Sequence, residues 1–556
     1  MEKSDVVIIG GVAAGPKTAA TLARRNGALS ITLFQKEDLL SYGSCGLPYF
    51  ASGDIESFNG LVETSYGIAR DADFFENIKG FKAVTGAEVI EINRDEKYII
   101  IKMLKSGETI KHGYDKLVIA TGANAIKPPF PVAESSKISS FTRPDDAIAF
   151  RKAAQTGQVG KVVIIGGGFI GCEMTEACAG LWGIETVLIE RENQIMPFVL
   201  DKEMAEIAKR EMTRQDIKVL TGAEVQKVEL DSDNNPVVYI DGHAPITADY
   251  VFLCLGVKPE VTLAKNTGLT IGKTGAIAVN SHLQTSDDNI YAGGDCIENK
   301  NKITGQPFFI PMGSLANRHG RVIAENITGN KAEFSGVLGA FLVKVFDTNV
   351  GAVGLSQMSA EKAGLKTNAV WGTFPDKPDY YPESQVFVLK LIYDADTKRV
   401  LGLQAVGAGD ICRRIDSMSA LLQQNATLDT LIDFEHGYAP PYSDALDPLH
   451  HLAAMAKSGF DFISPLTNDE KDAYLWLDVR ETSEFEEAAW PDEMKNRIKN
   501  IPLGKLRSRA KELDTGRPIL VTCMRGLRSY QAAVILKQSG FDNVHILSGG
   551  FEASQQ

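Results

Sequence analysis

The chain has 556 residues, 44% of them hydrophobic and 23% charged, with 58 basic against 71 acidic side chains and a formal net charge of -13. This composition is that of a globular rather than a disordered chain, and the acidic excess argues against a nucleic-acid partner, whose phosphates require a basic surface. At roughly 100–200 residues per domain, the length predicts about three to five domains.

The amino terminus reads MEKSDVVIIGGVAAG, a short apolar run that flows directly into a glycine turn. A signal peptide would have a cleavage site instead. No stretch approaches the roughly 20 apolar residues of a membrane helix. A soluble, cytoplasmic protein with no membrane partner is expected. Residues 6–9 read as a buried strand, 14–25 as a helix and 31–34 as a second strand, with a turn at 10–15. The same succession recurs as strand 161–165, turn 166–171, helix 172–182 and strand 186–189. The recurrence predicts two related nucleotide-binding domains in an α/β chain.

A dinucleotide fingerprint is G-x-G-x-x-G between a strand and a helix. The first turn is Gly10, Gly11, Val12, Ala13, Ala14 and Gly15, with Val12 at the second glycine position. Gln35 stands where an acid would bind the ribose, and an amide can also hydrogen-bond a hydroxyl. The second turn is complete, with Gly166, Gly168 and Gly171, Ile170 before the last glycine, and Glu190 ending the next strand. The three glycines serve the tight turn, the approach of the pyrophosphate and helix–strand packing. Glu190 would accept from a ribose 2′-hydroxyl and repel a 2′-phosphate, which favours NADH, while Arg191 beside it keeps NADPH open.

Residues 117–123 (LVIATGA) and 289–295 (NIYAGGD) read as strands, the second ending on Asp295. Set around two fingerprints, with PMGSLANRHGR at 311–321, they resemble the two-dinucleotide flavoprotein disulfide reductase family over about residues 1–450. The resemblance implies FAD at the first fingerprint, NAD(P)H at the second, Asp295 on the ribityl chain and the 311–321 helix beneath the flavin ring. It implies further cofactor contacts from Lys36, Ser44, Thr121, Gly122, Leu315, Ala316 and Gly256. The FAD domain is expected at 1–120 and 249–330 and the NAD(P)H domain at 121–248. An α+β dimerisation domain is expected at 331–455, from strand-like runs at 341–346 and 386–392 and a helix near 412–424.

Seven dispersed cysteines lack any Cys-x-x-Cys spacing and read as reduced thiols rather than a disulfide framework. The histidines form no His-Glu-x-x-His, so no metal site is expected. Residues 41–50 read SYGSCGLPYF, and no partner cysteine lies near Cys45. A lone thiol can cycle through a sulfenic acid, a mixed disulfide or a persulfide. The segment resembles the active-site segment of coenzyme A disulfide reductases. Ser44 replaces their Asn, as in NADH peroxidases and oxidases. The resemblance implies a catalytic Cys45 and a homodimer in which Tyr438, within HGYAPPYSDALDP at 436–448, reaches the partner's active site. It also implies Tyr380 as a second tyrosine, and Lys17, Arg24, Arg25 and Ser41 as coenzyme A contacts.

A linker is expected at 456–471, including the polar stretch SPLTNDEK, and a small α/β domain at 472–556. Cys523 begins the loop CMRGLRS between strand 518–522 and helix 530–538. Backbone N–H groups and a helix N-terminus at such a turn stabilise an anion, and Arg525 and Arg528 add positive charge. With LDVRE at 477–481 and LSGGF at 547–551, the loop resembles that of rhodanese sulfurtransferases, although their Gly-His-Ile-Pro-Gly-Ala stretch is replaced around 484–500. The whole chain thus resembles rhodanese-fused coenzyme A disulfide reductases, some of which act as persulfide or polysulfide reductases. That implies electrons passing from NADH through FAD to a mixed disulfide or persulfide at Cys45, with Cys523 and Arg528 handling sulfane sulfur. Two alternatives stay open: an oxygen- or peroxide-reducing NADH oxidase using a Cys45 sulfenic acid, and a sulfur carrier or redox sensor.

Overall fold

The computed structural model describes residues 1–464, 473–488, 490–491, 494, 497–514 and 516–554. It forms two units, Met1–Arg191 with Gly222–Val337, and Glu192–Thr221 with Leu338–Gln556.

The first unit is built on two mostly parallel sheets. In the first, the strands Lys82–Val84, Ile31–Phe34, Glu2–Ile9 and Thr109–Ile119 lie in that order. The early half of Thr109–Ile119 pairs antiparallel with Tyr98–Met103, and its late half pairs parallel with Ile290–Ala292. The strand leading to Asp295 therefore lies beside the one leading to Thr121. Val7, Ile8, Leu33, Leu117 and Val118 have no exposed surface, as a parallel sheet covered on both faces requires of its continuous apolar runs.

The second sheet holds Glu185–Glu190, Lys161–Ile165, Tyr250–Leu253 and Ile138–Ser139, all parallel. Tyr250–Leu253 thus belongs to the second nucleotide sheet, which extends past the boundary expected at 248. Its YVFL run is the apolar neighbour that Lys161–Ile165 needs on its open edge. Helix Ala14–Arg25 has the expected limits, whereas Phe169–Ala179 begins before residue 172, directly on Gly168 as its N-cap.

In the second unit, an antiparallel sheet runs in the order Phe341–Val345, Thr348–Gly354, Val400–Gly407, Val386–Asp394, Thr367–Pro375. Helix Cys412–Gln423 packs on it. Helix Lys202–Arg214, expected in the NAD(P)H domain, falls in this unit. The physical reason is charge: Lys390 is 2% exposed on the sheet, and its Nζ lies 2.8 Å from Asp201 and 2.6 Å from Glu203. Gln404 completes the group by donating to Asp201 Oδ2 at 2.9 Å.

The last sheet is parallel throughout, in the order Asp461–Ile463, Val544–Leu547, Ile519–Thr522, Leu475–Asp478, Ile498–Asn500. Asp461–Ile463 lies within the segment read as a linker, yet it pairs with Val544–Leu547 as an edge strand. Its short length hides it from a periodicity search. Residues 465–471 of that segment lie outside the described residues. Among the described residues, no helix is long and apolar enough to cross a membrane.

Replacing Lys390 with Met would strand two buried carboxylates. The expected cost is about 3–5 kcal/mol, read as a lower urea midpoint for the second unit. An unchanged midpoint would refute this account of the ion cluster.

Candidate active site

Steric contact demands glycine in both nucleotide turns. At Gly10 (φ +106°) an added Cβ would stand 2.1 Å from the Ala120 carbonyl oxygen, and at Gly166 (φ +108°) 2.2 Å from that of Cys254. A Cβ on Gly15 would stand 1.9 Å from Gly10 O, and one on Gly171 would stand 1.9 Å from Gly166 O. The turns differ at the second glycine position. No atom lies within 4 Å of a Cβ built on Gly168, which leaves the open approach a pyrophosphate needs. Val12 occupies that place in the first turn, ahead of Ala13 and Ala14.

The strand-end side chains do the same work twice. Gly11 N–H donates to Gln35 Oε1 at 2.6 Å, and Gly167 N–H donates to Glu190 Oε2 at 2.7 Å. Gln35 Nε2 in turn donates to Glu37 Oε2 at 2.6 Å. Lys36, expected as a cofactor contact, is exposed and pairs with Glu88 at 2.8 Å. Ile170 lies in the first turn of Phe169–Ala179, and the Gly256 carbonyl accepts from Ile126 N–H at 3.0 Å. Glycine cradles at strand carboxyl ends, each followed by a helix N-terminus, fit dinucleotide pyrophosphates.

Around the first turn, Gly294 packs against Ala14 and Ala316. Asp295 Oδ1 accepts from Met312 N–H at 3.1 Å. Burial raises the Asp295 carboxyl above the ordinary carboxylate range, and the Met312 bond works against that rise. Met312 precedes helix Gly313–Ile327, whose first turn buries Leu315 and Ala316. Thr121 Oγ1 donates to Glu260 O at 2.7 Å, and Gly122 takes a φ of +71°. His319 is a residue the sequence reading missed. Burial pushes it down to about 3, so it stays neutral, and its Nδ1 accepts from Gly294 N–H at 3.2 Å.

Cys45 is exposed, in the short turn Ser44–Gly46. A Cβ on Gly313 would stand 3.9 Å from Cys45 Sγ. The thiol therefore sits at the N-terminal end of a 15-residue helix, where the dipole favours a thiolate. Other influences oppose this. Desolvation first, and then the charge of Glu173, push the Cys45 thiol up, while a hydrogen bond with Ser44 lowers it. Glu173 comes from the helix of the second fingerprint, and burial pushes its carboxyl up to about 7. Tyr49 O–H donates to Glu173 Oε1 at 3.4 Å. No sequence signal marked Glu173, because only packing brings that helix to Cys45.

Helices Ala14–Arg25 and Gly313–Ile327 cross at Gly320, where a Cβ would stand 2.8 Å from Ala14 O and 2.9 Å from Lys17 Cβ. The close crossing sets Lys17, Thr21, Arg24 and Arg25 beside Arg321 and Glu325 around a cleft of about 270 Å³. Four basic side chains there face one carboxylate, which pairs with Arg25. Ser41 is not among the lining residues. It adopts a left-handed φ of +46°, and its N–H donates to Gly11 O at 2.8 Å, bracing the first turn instead.

In the second unit, Cys523 is 1% exposed at the end of Ile519–Thr522, and its Sγ accepts from Gly526 N–H at 3.0 Å. Helix Leu527–Gln538 starts at the next residue. Arg528 was expected to hold sulfur charge. It grips Glu484 through two hydrogen bonds of 2.6 and 2.7 Å, which hold that carboxyl down at about 2, and it also interacts electrostatically with Cys523. Arg525 faces Asp379 at 3.6 Å and Glu552 at 3.5 Å. Both guanidinium groups thus have carboxylate partners, and Gly526 N–H and the helix N-terminus face the sulfur together with the Arg528 charge. Thr373 N–H donates to Arg525 O at 3.1 Å, tying this loop to strand Thr367–Pro375. Tyr380 and Tyr438 are 75% and 53% exposed and lie near one another.

Paired dinucleotide cradles, a lone exposed thiol at a helix N-terminus and a second thiol in an anion-binding loop define a two-dinucleotide oxidoreductase joined to a sulfurtransferase-like domain. The chain belongs to the pyridine nucleotide-disulphide oxidoreductase family: residues 4–312 match that family, 341–450 its dimerisation domain and 465–556 the rhodanese-like domain. The family works with FAD and NAD(P)H.

The chain is 34% identical to the NAD(P)H sulfur oxidoreductase (CoA-dependent) of Pyrococcus abyssi, over 82% of this chain and 98% of that one. It is 33% identical to the NAD(P)H coenzyme A polysulfide/persulfide reductase of Pyrococcus horikoshii, over 82% and 99%. Among solved structures, the NAD-dependent persulfide reductase from A. fulgidus superimposes with a TM-score of 0.93 at 38% identity, covering 99% of both chains. Reduced Bacillus anthracis CoADR-RHD gives 0.91 at 31% identity, covering 100% of this chain and 98% of that one.

Gly168→Ala should fold and keep its flavin, yet raise the KM for NADH about tenfold by filling the open approach. An unchanged KM would remove Gly168 from the nucleotide site. Glu173→Gln deletes a negative charge that disfavours the Cys45 thiolate, so the thiol pKa should fall. Cys45 alkylation, followed by peptide mass mapping across pH, should become faster at neutral pH and lose an inflection near the Glu173 pKa of about 7. Slower alkylation would contradict the assigned sign.

Proposed function

We propose that this chain is an NADH-dependent reductase of sulfur–sulfur bonds, acting on coenzyme A persulfide, coenzyme A disulfide or polysulfide. The observation that carries the reading is the lone, exposed Cys45 thiol beside the N-terminus of Gly313–Ile327, in a chain with a second thiol cradled at Cys523. With no cysteine nearby to close an internal disulfide, the sulfur that Cys45 bonds to comes from the substrate. The names of the Pyrococcus and A. fulgidus relatives point to the same chemistry.

Bound FAD supplies the route by which an electron pair from the nicotinamide reaches sulfur. Gly10, Gly15, Gly294, Asp295 and Thr121 hold it, and Gly166, Gly168, Gly171 and Glu190 hold NADH. The Glu190 carboxylate repels a 2′-phosphate. The Cys45 thiolate attacks the substrate sulfur–sulfur bond, and one new bond forms to Sγ as the first thiolate or sulfide departs and takes a proton. The electron pair from NADH then breaks the bond to Sγ, which restores the Cys45 thiolate and frees the second sulfur product. The phenols of Tyr438 and Tyr380 donate that proton across a homodimer. Exposed Tyr442 and Leu446, 70% and 54% accessible, suit burial against a second copy. Lys17, Arg24, Arg25 and Arg321 bind the coenzyme A phosphates in their cleft. Cys523 takes sulfane sulfur from larger donors and passes it on, and tethering raises the effective concentration of one thiol near the other.

Anaerobic NADH oxidation by coenzyme A persulfide should vanish in Cys45→Ser. In Cys523→Ser it should fall chiefly with polymeric sulfur donors. Full turnover of Cys45→Ser would overturn the reading. Oxygen consumption outpacing persulfide reduction in the wild type would replace it with an NADH oxidase.

A further inference from the structure

The two nucleotide turns share one hydrogen bond but not one chemistry. At the second, the residue that locks the turn is a carboxylate, Glu190, whose Oε2 accepts from Gly167 N–H at 2.7 Å. At the first it is the Gln35 amide, whose single oxygen accepts from Gly11 N–H at 2.6 Å. A ribose presents two vicinal hydroxyls, and a carboxylate has two oxygens with about four lone-pair sites to meet them and the turn together. An amide has one oxygen with two lone pairs, and here Gly11 already takes one of them, which leaves fewer acceptor sites than the two vicinal hydroxyls can use.

The remaining half of Gln35 is a donor, and it points at a carboxylate. Gln35 Nε2 donates to Glu37 Oε2 at 2.6 Å. The amide orientation is fixed from both ends, because Gly11 N–H can meet only its oxygen and Glu37 only its nitrogen. Gln35 is 4% exposed, whereas Glu37 is exposed at the surface. Among the described residues, no hydrogen bond is made by Glu37 Oε1. The negative charge missing from position 35 thus stands two residues on, at the same strand end, and Gln35 couples it to the turn.

We propose that Glu37 is the ribose-recognition residue of the first nucleotide site, accepting from the vicinal hydroxyls of an adenosine ribose while Gln35 locks the turn. The inference rests on the first turn being the FAD site, and it adds a specificity-determining residue to it. An acidic group in this place also disfavours a ribose carrying a phosphate.

The test is a titration of deflavinated protein with FAD, followed by flavin fluorescence. Wild-type protein that fails to take up FAD would refute the cofactor assignment itself, independently of Glu37. Glu37→Ala should weaken FAD binding about tenfold. Its exposed position makes misfolding a poor explanation, and an unchanged thermal melt of the deflavinated variant checks this. Gln35→Glu combined with Glu37→Ala moves the carboxylate to the position it holds at the second site, and should restore affinity to within about threefold of wild type. Unchanged FAD affinity in Glu37→Ala would overturn the proposal. So would a loss that the double variant does not repair, since a merely structural role predicts no rescue.

Discussion

A Cβ added to Gly15 would stand 1.9 Å from the carbonyl oxygen of Gly10, and one on Gly171 would stand 1.9 Å from that of Gly166. This contact between helix and strand end organises the first unit. It holds each helix N-terminus against the carboxyl edge of its sheet, where backbone N–H groups and the dipole meet a pyrophosphate. It also leaves one N–H per turn, that of Gly11 or Gly167, to be held by the side chain ending the next strand. Any larger residue at these glycines would push the helix away and undo both effects.

Helix Gly313–Ile327 links the sites that this arrangement creates. Its N-terminus meets Cys45 and Asp295, its middle crosses the first helix at Gly320, and its later turns bring Arg321 and Glu325 to the basic cleft. At 1.5 Å per residue, Gly313 and Arg321 stand roughly 12 Å apart along the axis. A ligand anchored by its phosphates in the cleft must therefore be elongated for its sulfur to meet the thiol. The bottom of the crossing is set by Gly320, the position at which a side chain would separate the two helices.

In the second unit, charges are balanced by internal partners. Lys390 is held by Asp201 and Glu203, Arg528 by Glu484, and Arg525 by Asp379 and Glu552. At Cys523 the sulfur meets oriented backbone, beginning with Gly526 N–H at 3.0 Å, with the Arg528 charge also acting on it. Such dipoles are fixed before sulfur arrives and stabilise an anion without reorganising.

Local chemistry was readable from sequence wherever neighbouring residues carry it. The two glycine turns, the apolar strands before them, the lone thiol at Cys45 and the loop at Cys523 all lie within short windows whose spacing is set by backbone geometry. Asp461–Ile463 escaped because three residues show no period, and the boundary expected at 248 fell before Tyr250–Leu253 because pairing partners are not written in sequence order. Tertiary structure alone set the charge around each reactive group. Glu173 reaches Cys45 from another domain's fingerprint helix, Glu484 neutralises Arg528 across 44 positions, and Arg321 joins Lys17 only through the crossing at Gly320. The sequence by itself determined the two glycine turns and the thiols at Cys45 and Cys523, because those features belong to residue types and local turns. Their protonation and partners were decided by folding, because desolvation and Coulomb interaction depend on distance in space and not along the chain.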